Sequence, residues 1–236
     1  MLQRFRRDGI RLKPHTLAAA VLAALLPGMT GCIALGYAAA SMPPRPVKAR
    51  YDGLMGQSVA VMVWTERSIR IDFPAVQLDV ANGVQQKLQQ AQKDNKPELK
   101  GTTFPIEPRS VVRFQVENPA VVLRPIEEVA AMLPVSRLIY VELIEFETRP
   151  VAQLELFRGR AVVSLRAVEV DDSGRARVAY REDPFTVVFP PKAPPEGILG
   201  VGDVRIYQGL VDELTTEIAR RFHTYTPEDT VGSGLR

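Results

Sequence analysis

Cys32 is the residue of this chain to which a definite chemistry can be assigned from its type and position. It is the only cysteine among the 236 residues, so the chain can form no internal disulfide and no cysteine-ligated metal site. Two residues with small side chains, Thr30 and Gly31, directly precede it. A single cysteine in this setting favours covalent modification, and we expect Cys32 to be the modified residue.

The 31 residues before Cys32 have the layout of an export signal. Basic residues come first, and an apolar run of ten residues, 17–26, follows them. A helix of ten residues is about 15 Å long, which is half of the ~30 Å hydrocarbon core of a membrane. That length is typical of a cleaved signal peptide. The competing interpretation is an uncleaved anchor over 17–40, but Pro27 and Gly28 interrupt that stretch.

The segment Met29-Thr30-Gly31-Cys32 resembles the lipobox of bacterial lipoproteins. The resemblance implies cleavage between Gly31 and Cys32 and a lipid, with acyl chains such as palmitate, on the new N-terminal cysteine. It also implies the outer membrane, facing the periplasm, as the destination, because Ile33 and not an acidic residue follows the cysteine.

The distribution of charge argues against a nucleic-acid partner. The chain has 30 basic and 27 acidic residues and a pI of about 9.1. Five of the basic residues and one of the acidic residues precede Cys32, so the remainder carries a net charge of −1. Because binding to nucleic acid depends on an excess of positive charge, we expect no nucleic-acid partner.

Residues that metal sites and nucleophilic catalysis require are scarce. His15 precedes the expected cleavage point and His223 stands alone, so we expect no metal and no cofactor. A serine hydrolase needs a base beside its nucleophile. Because His223 is the only histidine after the expected cleavage point, we expect that the protein is not an enzyme. The alternative, an enzyme acting on envelope glycans or lipids, would need two close carboxylates in a cleft, drawn from Glu142, Glu145 and Asp183.

Charged residues on adjoining segments favour structural ion pairs over such a site. Three glutamates lie on one expected strand and six arginines lie along the hairpin that follows it. We expect cross-strand pairs, each worth about 0.2–1 kcal/mol. The residues concerned are Glu142, Glu145 and Glu147, and Arg158, Arg160, Arg166, Arg175, Arg177 and Arg181.

Hydrophobic patterning predicts an α/β (α+β) fold with a single mixed β-sheet of about four to five strands and helices packed on it. The continuous apolar run 58–64 is typical of a central or parallel strand that is buried on both faces. Strands are expected at 58–64, 137–146, 159–170 and 177–189, and helices at 74–93, 125–133 and 203–222. The segment 109–116 fits a short strand or a short helix, and the proline before it favours the helix.

These elements predict four parts of the chain. They are a lipoprotein signal peptide at 1–31, a lipidated N-terminus and tether at 32–57, a single α/β domain at 58–225 and a flexible tail at 226–236. Within the domain, Ile198, Leu199 and Val201 lie in a loop rich in proline and glycine. Apolar side chains there indicate a contact either with the core of the domain or with another protein.

The run from residue 58 to residue 222 resembles the small α/β domain of envelope lipoproteins in the CsgG, LpoB and TolB N-terminal group. The resemblance rests on the opening strand VAVMVW, on the segment RLIYVELIEFET and on the hairpin VVSLRAVEVDDSGRARVAYRE. It implies an anticodon-binding-like, TolB-N-like fold and non-catalytic work with a protein partner in envelope assembly or transport. The further segments from which CsgG-type proteins build a pore are not evident.

Three hypotheses about function follow from the sequence. The first is a membrane-anchored interaction module with an envelope protein as its partner. The second is an enzyme acting on envelope glycans or lipids, and the third is a subunit of a CsgG-like secretion assembly.

The assignment of Cys32 is open to a direct test. We expect Cys32→Ser to leave the protein soluble or unprocessed, because the thiol is the group that would accept the lipid. Membrane fractionation and intact mass measure both effects. Fractionation and mass identical to those of the wild type would contradict the assignment.

Overall fold

The computed structural model describes residues 45–150 and 155–227. Cys32, the expected cleavage point and residues 228–236 of the expected tail lie outside the described residues. A compact unit begins at Pro46. In the described part of the chain, no helix combines the length and the apolar character needed to cross a membrane.

The described residues form strands and helices in the order that the sequence predicts, with one further short α-helix after the first strand. The strands are β1 (Val59–Thr65), β2 (Arg137–Glu147), β3 (Gly159–Val170) and β4 (Ala176–Phe189). The α-helices are α1 (Arg67–Asp72), α2 (Val76–Lys93), α3 (Pro108–Glu117), α4 (Ile126–Ala131) and α5 (Asp203–Ala219). Short 3-10 helices cover Pro97–Leu99 and Pro119–Leu123.

The strands form one mixed sheet in the order β1-β2-β3-β4. β1 runs parallel to β2, and the two other pairings are antiparallel. The prediction of a single mixed sheet with helices packed on it is therefore confirmed. β1 has the parallel pairing that its apolar run indicates, but it lies at an edge of the sheet and not at its centre. Its free edge is covered: the Val63 carbonyl accepts hydrogen bonds from the side-chain amides of Gln77 at 2.9 Å and Gln115 at 3.1 Å.

Apolar side chains cover both faces of the sheet, but to different extents. The α2–α5 face holds the larger core, in which alternate residues of the strands pack against the apolar stripes of α2 and α5. The α3–α4 face holds a smaller core around Ala60, Met62 and Leu138. On the second face, α3 lies against β1, and α4 lies against β3 and β4.

The segment 109–116, which the sequence leaves open, lies in a helix. Pro108 occupies the first turn of α3, where the missing N–H costs nothing. Val111 and Phe114 are three positions apart and pack against the smaller core, which a helix allows and a strand does not. The short helix α1 is not predicted from the sequence, and none of its residues is buried.

Residues 46–57, which the sequence assigns to the tether, are folded onto the domain. We call them the N-terminal strap. Val47 forms an antiparallel bridge with Tyr225, and the Leu54 carbonyl accepts a hydrogen bond of 2.8 Å from the Thr102 hydroxyl. Tyr51 and Leu54 are buried in the larger core. The domain therefore begins at residue 46 and not at residue 58.

Neighbouring residues of the strap provide a matched test of this boundary. The Leu54 side chain is fully buried, whereas Met55 is 59% exposed. We expect Leu54→Ala to lower the free energy of unfolding by about 2–5 kcal/mol, because it leaves a cavity in the core. Met55→Ala should change the free energy by less than about 0.5 kcal/mol. Denaturant titration measures both, and equal effects would show that the strap is not part of the core.

Candidate functional site

The structure separates the three loop residues that the sequence marks as possible contacts. Ile198 and Phe157 exchange backbone hydrogen bonds of 2.9 and 3.0 Å, which fix the loop to the chain before β3. Val201 packs against the larger core. Leu199 is 68% exposed. The contact with the domain's own core is thus made by Val201, and Leu199 remains available to another molecule.

Further apolar side chains are exposed around the start of α5. Val204, in the first turn of that helix, is 70% exposed, and Ile71, in the last turn of α1, is 66% exposed. Val204 lines a cavity of about 410 Å³, and Phe73 and Tyr207 line it too. We call this cavity, with Ile71, Leu199 and Val204, the apolar end.

The aromatic wall of this cavity is held by ring contacts. The Phe73 ring stacks on Tyr207 with centroids 5.9 Å apart, and Phe146 lies edge-on to both rings at 4.9 and 5.6 Å. The Tyr207 hydroxyl donates a hydrogen bond of 2.6 Å to Asp79 on α2. Burial and this bond raise the pKa of Tyr207, so the ring is neutral and fixed in place. The wall is therefore preformed.

A polar cluster forms the other side of the same cavity. Asp203, the first residue of α5, accepts hydrogen bonds from Arg149 Nε at 2.8 Å and from the Thr148 hydroxyl at 3.1 Å. The guanidinium of Arg149 also lies 4.8 Å from the ring centroid of Phe157. The bond from Arg149 lowers the pKa of the Asp203 carboxyl. The cluster ties the end of β2 to the start of α5 and gives the cavity a charged rim.

The carboxylates considered for glycan chemistry lie elsewhere, on the α3–α4 face. Glu142 accepts hydrogen bonds from the Ser164 hydroxyl at 3.0 Å and from Arg166 at 3.4 Å. Glu145 forms an ion pair with Arg160. Two of the predicted cross-strand pairs are thus present, whereas Arg175 and Arg177 pair with Asp171 and Glu169 instead. Glu142 and Asp183 line one depression of about 270 Å³, and Glu145 does not line it.

His223 has a structural environment. It is buried just after α5, and its Nδ1 lies 3.1 Å from the Thr224 carbonyl. Burial lowers its pKa, so it is neutral at pH 7. Among the residues that the structure describes, no group of three or more histidine, cysteine and acidic side chains is placed to hold a metal ion.

Two residues of the apolar end were missed by the sequence reasoning. Val204 carries a signal, because it is apolar and lies off the buried stripe of α5, which begins at Ile206. An apolar residue outside the stripe of an amphipathic helix is exposed. Ile71 carries no such signal, since α1 is too short to show a period.

The Arg149–Asp203 pair predicts a pH dependence of stability. A carboxyl with a lowered folded-state pKa stabilises the fold above its unfolded pKa, near 3.9, and loses that contribution as the pH falls. We expect Asp203→Asn to cost about 0.2–1 kcal/mol at pH 7, as for other surface pairs, and the difference to shrink below about pH 4. Urea titrations at both pH values measure it. Asp72→Asn, on the same cavity, is the control, and a pH-independent difference would contradict the argument.

Comparison with known proteins does not place this chain in a family. No model of a protein family matches the sequence, and no curated protein shows significant similarity to it.

Proposed function

We propose that this protein is a lipid-anchored module of a bacterial cell envelope that binds another envelope protein through its apolar end and carries out no reaction of its own. The observation that carries the proposal is the exposure of Ile71, Leu199 and Val204, each about two-thirds exposed. Val204 lines the cavity, Ile71 directly precedes Asp72 of its lining, and Leu199 lies in the loop that leads into α5.

The energetics of that exposure favour a protein partner. Apolar area that leaves water contributes about 25 cal/mol per Å² to association. Soluble domains keep large apolar side chains apart on their surfaces, and clusters of them mark contact sites. The charged rim of Arg149 and Asp203 beside the aromatic wall matches the usual arrangement of an interface, an apolar centre with a polar border.

The sequence before the strap supports a place close to the membrane. Cys32 is the expected point of attachment, and only 13 residues, 33–45, lie between it and the start of the domain at Pro46. Whatever its conformation, a chain of that length spans at most about 50 Å. The partner is therefore proposed to lie at the same membrane face, at the outer membrane towards the periplasm.

Site-specific photocrosslinking in intact envelopes tests the proposal. A photoreactive amino acid at Leu199 or Val204 should yield one crosslinked protein, identified by mass spectrometry, because both positions would lie in the interface. The control position is Asp172, which is exposed in the turn between β3 and β4. The adduct should disappear in a Val204→Lys variant that carries the photoreactive group at Leu199.

The proposal is wrong if positions 199 and 204 yield no protein adduct, or the same adducts as position 172. It is also wrong if Val204→Lys leaves crosslinking unchanged while the protein stays folded by circular dichroism.

A further inference from the structure

The part of the α3–α4 face that lies next to α4 contains a cavity of about 270 Å³. Its walls come from the sheet on one side and from α3, the 3-10 helix Pro119–Leu123 and α4 on the other. Trp64, Tyr140, Arg166 and Arg181 contribute from four different strands. This cavity is separate from the apolar end, so the inference below does not depend on the proposed function.

Two arginines lie side by side in this cavity. Arg166 on β3 and Arg181 on β4 are direct partners in the antiparallel register. Like charges placed directly opposite each other destabilise a sheet. A β-bulge creates the pairing, because the register shifts between Ala167 and Val168. Without that shift, Arg166 would face Tyr180 and Arg181 would point to the other face of the sheet.

Within the lining of this cavity the negative charge does not balance the pair, whereas on the far side of the arginines Glu182 and Asp183 line the neighbouring depression with them. Glu142 accepts one hydrogen bond of 3.4 Å from Arg166. Arg181 forms no ion pair with any described residue. Glu182, which follows it, is held by Arg221 at 3.2 Å. With Arg124, Glu127 and Glu142 counted, the cavity lining still has one more positive than negative charge.

Two residues that line the cavity carry buried polar atoms without a hydrogen-bond partner. Arg166 Nε is buried and has no hydrogen-bond partner, and neither has Gln115 Oε1. Such groups cost about 1–3 kcal/mol each when they are left unpaired. Burial raises the pKa of Tyr140 to about 12, so its hydroxyl keeps its proton and can donate a hydrogen bond at neutral pH.

Apolar and aromatic side chains complete the lining. Trp64 and Tyr140 supply ring faces, and the Arg166 guanidinium lies 5.7 Å from the Tyr140 ring centroid. Met62, Val121 and Ile126 supply aliphatic surface. The surface open to the cavity is mainly polar, with the two rings beside the arginines, and the volume suits a ligand of about one ring.

We propose that this cavity binds a small carboxylic acid with an apolar body, with the carboxylate between Arg166 and Arg181 and the apolar part against Trp64. Paired arginines donate several charge-assisted hydrogen bonds to one carboxylate, which relieves their mutual repulsion. The carboxylate belongs to a free organic acid or to the C-terminal residue of a peptide, since the chemistry at the arginines is the same for both.

The position of Trp64 makes the test specific. It is the only tryptophan of the chain, so the indole fluorescence of the purified full-length protein in detergent reports on this cavity. Phenylacetate should change that fluorescence saturably at pH 7. Phenylacetamide, which has the same ring and no charge, should bind at least about tenfold more weakly.

Removing a positive charge and removing a negative charge should change the affinity in opposite directions, which distinguishes an effect on binding from an effect on folding. Arg181→Gln should weaken phenylacetate binding by about tenfold or more, because it removes charge-assisted hydrogen bonds. Glu142→Gln should strengthen it several-fold, because it removes the carboxylate that competes for Arg166. Arg177→Gln is the matched control: it lies on the same strand and pairs with Glu169, and it should leave binding unchanged.

A comparison of N-acetyl-phenylalanine with phenylacetate distinguishes the C-terminus of a peptide from a free organic acid as the source of the carboxylate. Tighter binding of the acylated amino acid assigns the carboxylate to a peptide end, and tighter binding of phenylacetate assigns it to a free acid. The proposal is overturned if no acid changes the fluorescence at about 10 mM, if acid and amide respond alike, or if Arg181→Gln and Arg177→Gln have equal effects.

Discussion

The arrangement of this domain depends on the need to cover both faces and the free edge of β1. The strand is apolar on both faces and lies at the edge of the sheet. An uncovered edge exposes backbone groups that pair with other chains. Here α2 and α3 meet over that edge, and two glutamine amides bind the outward-facing carbonyl of Val63. Because β1 fixes these helices, it also fixes a wall of each cavity described above. Gln115 of α3 lines the cavity that contains Arg166 and Arg181. Asp79 of α2 accepts the hydrogen bond of Tyr207, which lines the cavity of the apolar end.

The opposite edge of the sheet is managed differently. β4 is long and carries charged side chains that are exposed to solvent, among them Arg177, Arg181 and Asp183. Two register shifts and Pro184 interrupt its pairing, and bulges and prolines are devices that keep an edge strand from adding another strand. One of these bulges also turns Arg181 towards Arg166. A feature that protects the edge thus determines the chemistry of the face.

The sequence predicts most of the fold because its long elements have clear periods. β3 has the predicted bounds, since Ala161, Val163, Leu165 and Ala167 repeat at every second position along it. The strap was missed because Tyr51 and Leu54 are isolated apolar residues among polar ones and show no period. Of the apolar end, composition identifies Leu199, but the exposure of Ile71 depends on how α1 packs. The opposition of Arg166 and Arg181 was beyond sequence reasoning, because a one-residue bulge decides the face on which each arginine lies.

The N-terminal strap also decides how the domain would respond to mechanical load. It pairs with the chain's other end at Tyr225, its backbone N–H groups at Arg50 and Tyr51 donate to the Arg221 carbonyl, and Leu54 is inserted in the core. If the protein is held at Cys32 and bound to a partner as proposed, tension between membrane and partner would reach these contacts before it reaches the sheet. The strap would then bear the load first, and its few hydrogen bonds with its buried Tyr51 and Leu54 would set the force at which the domain begins to yield.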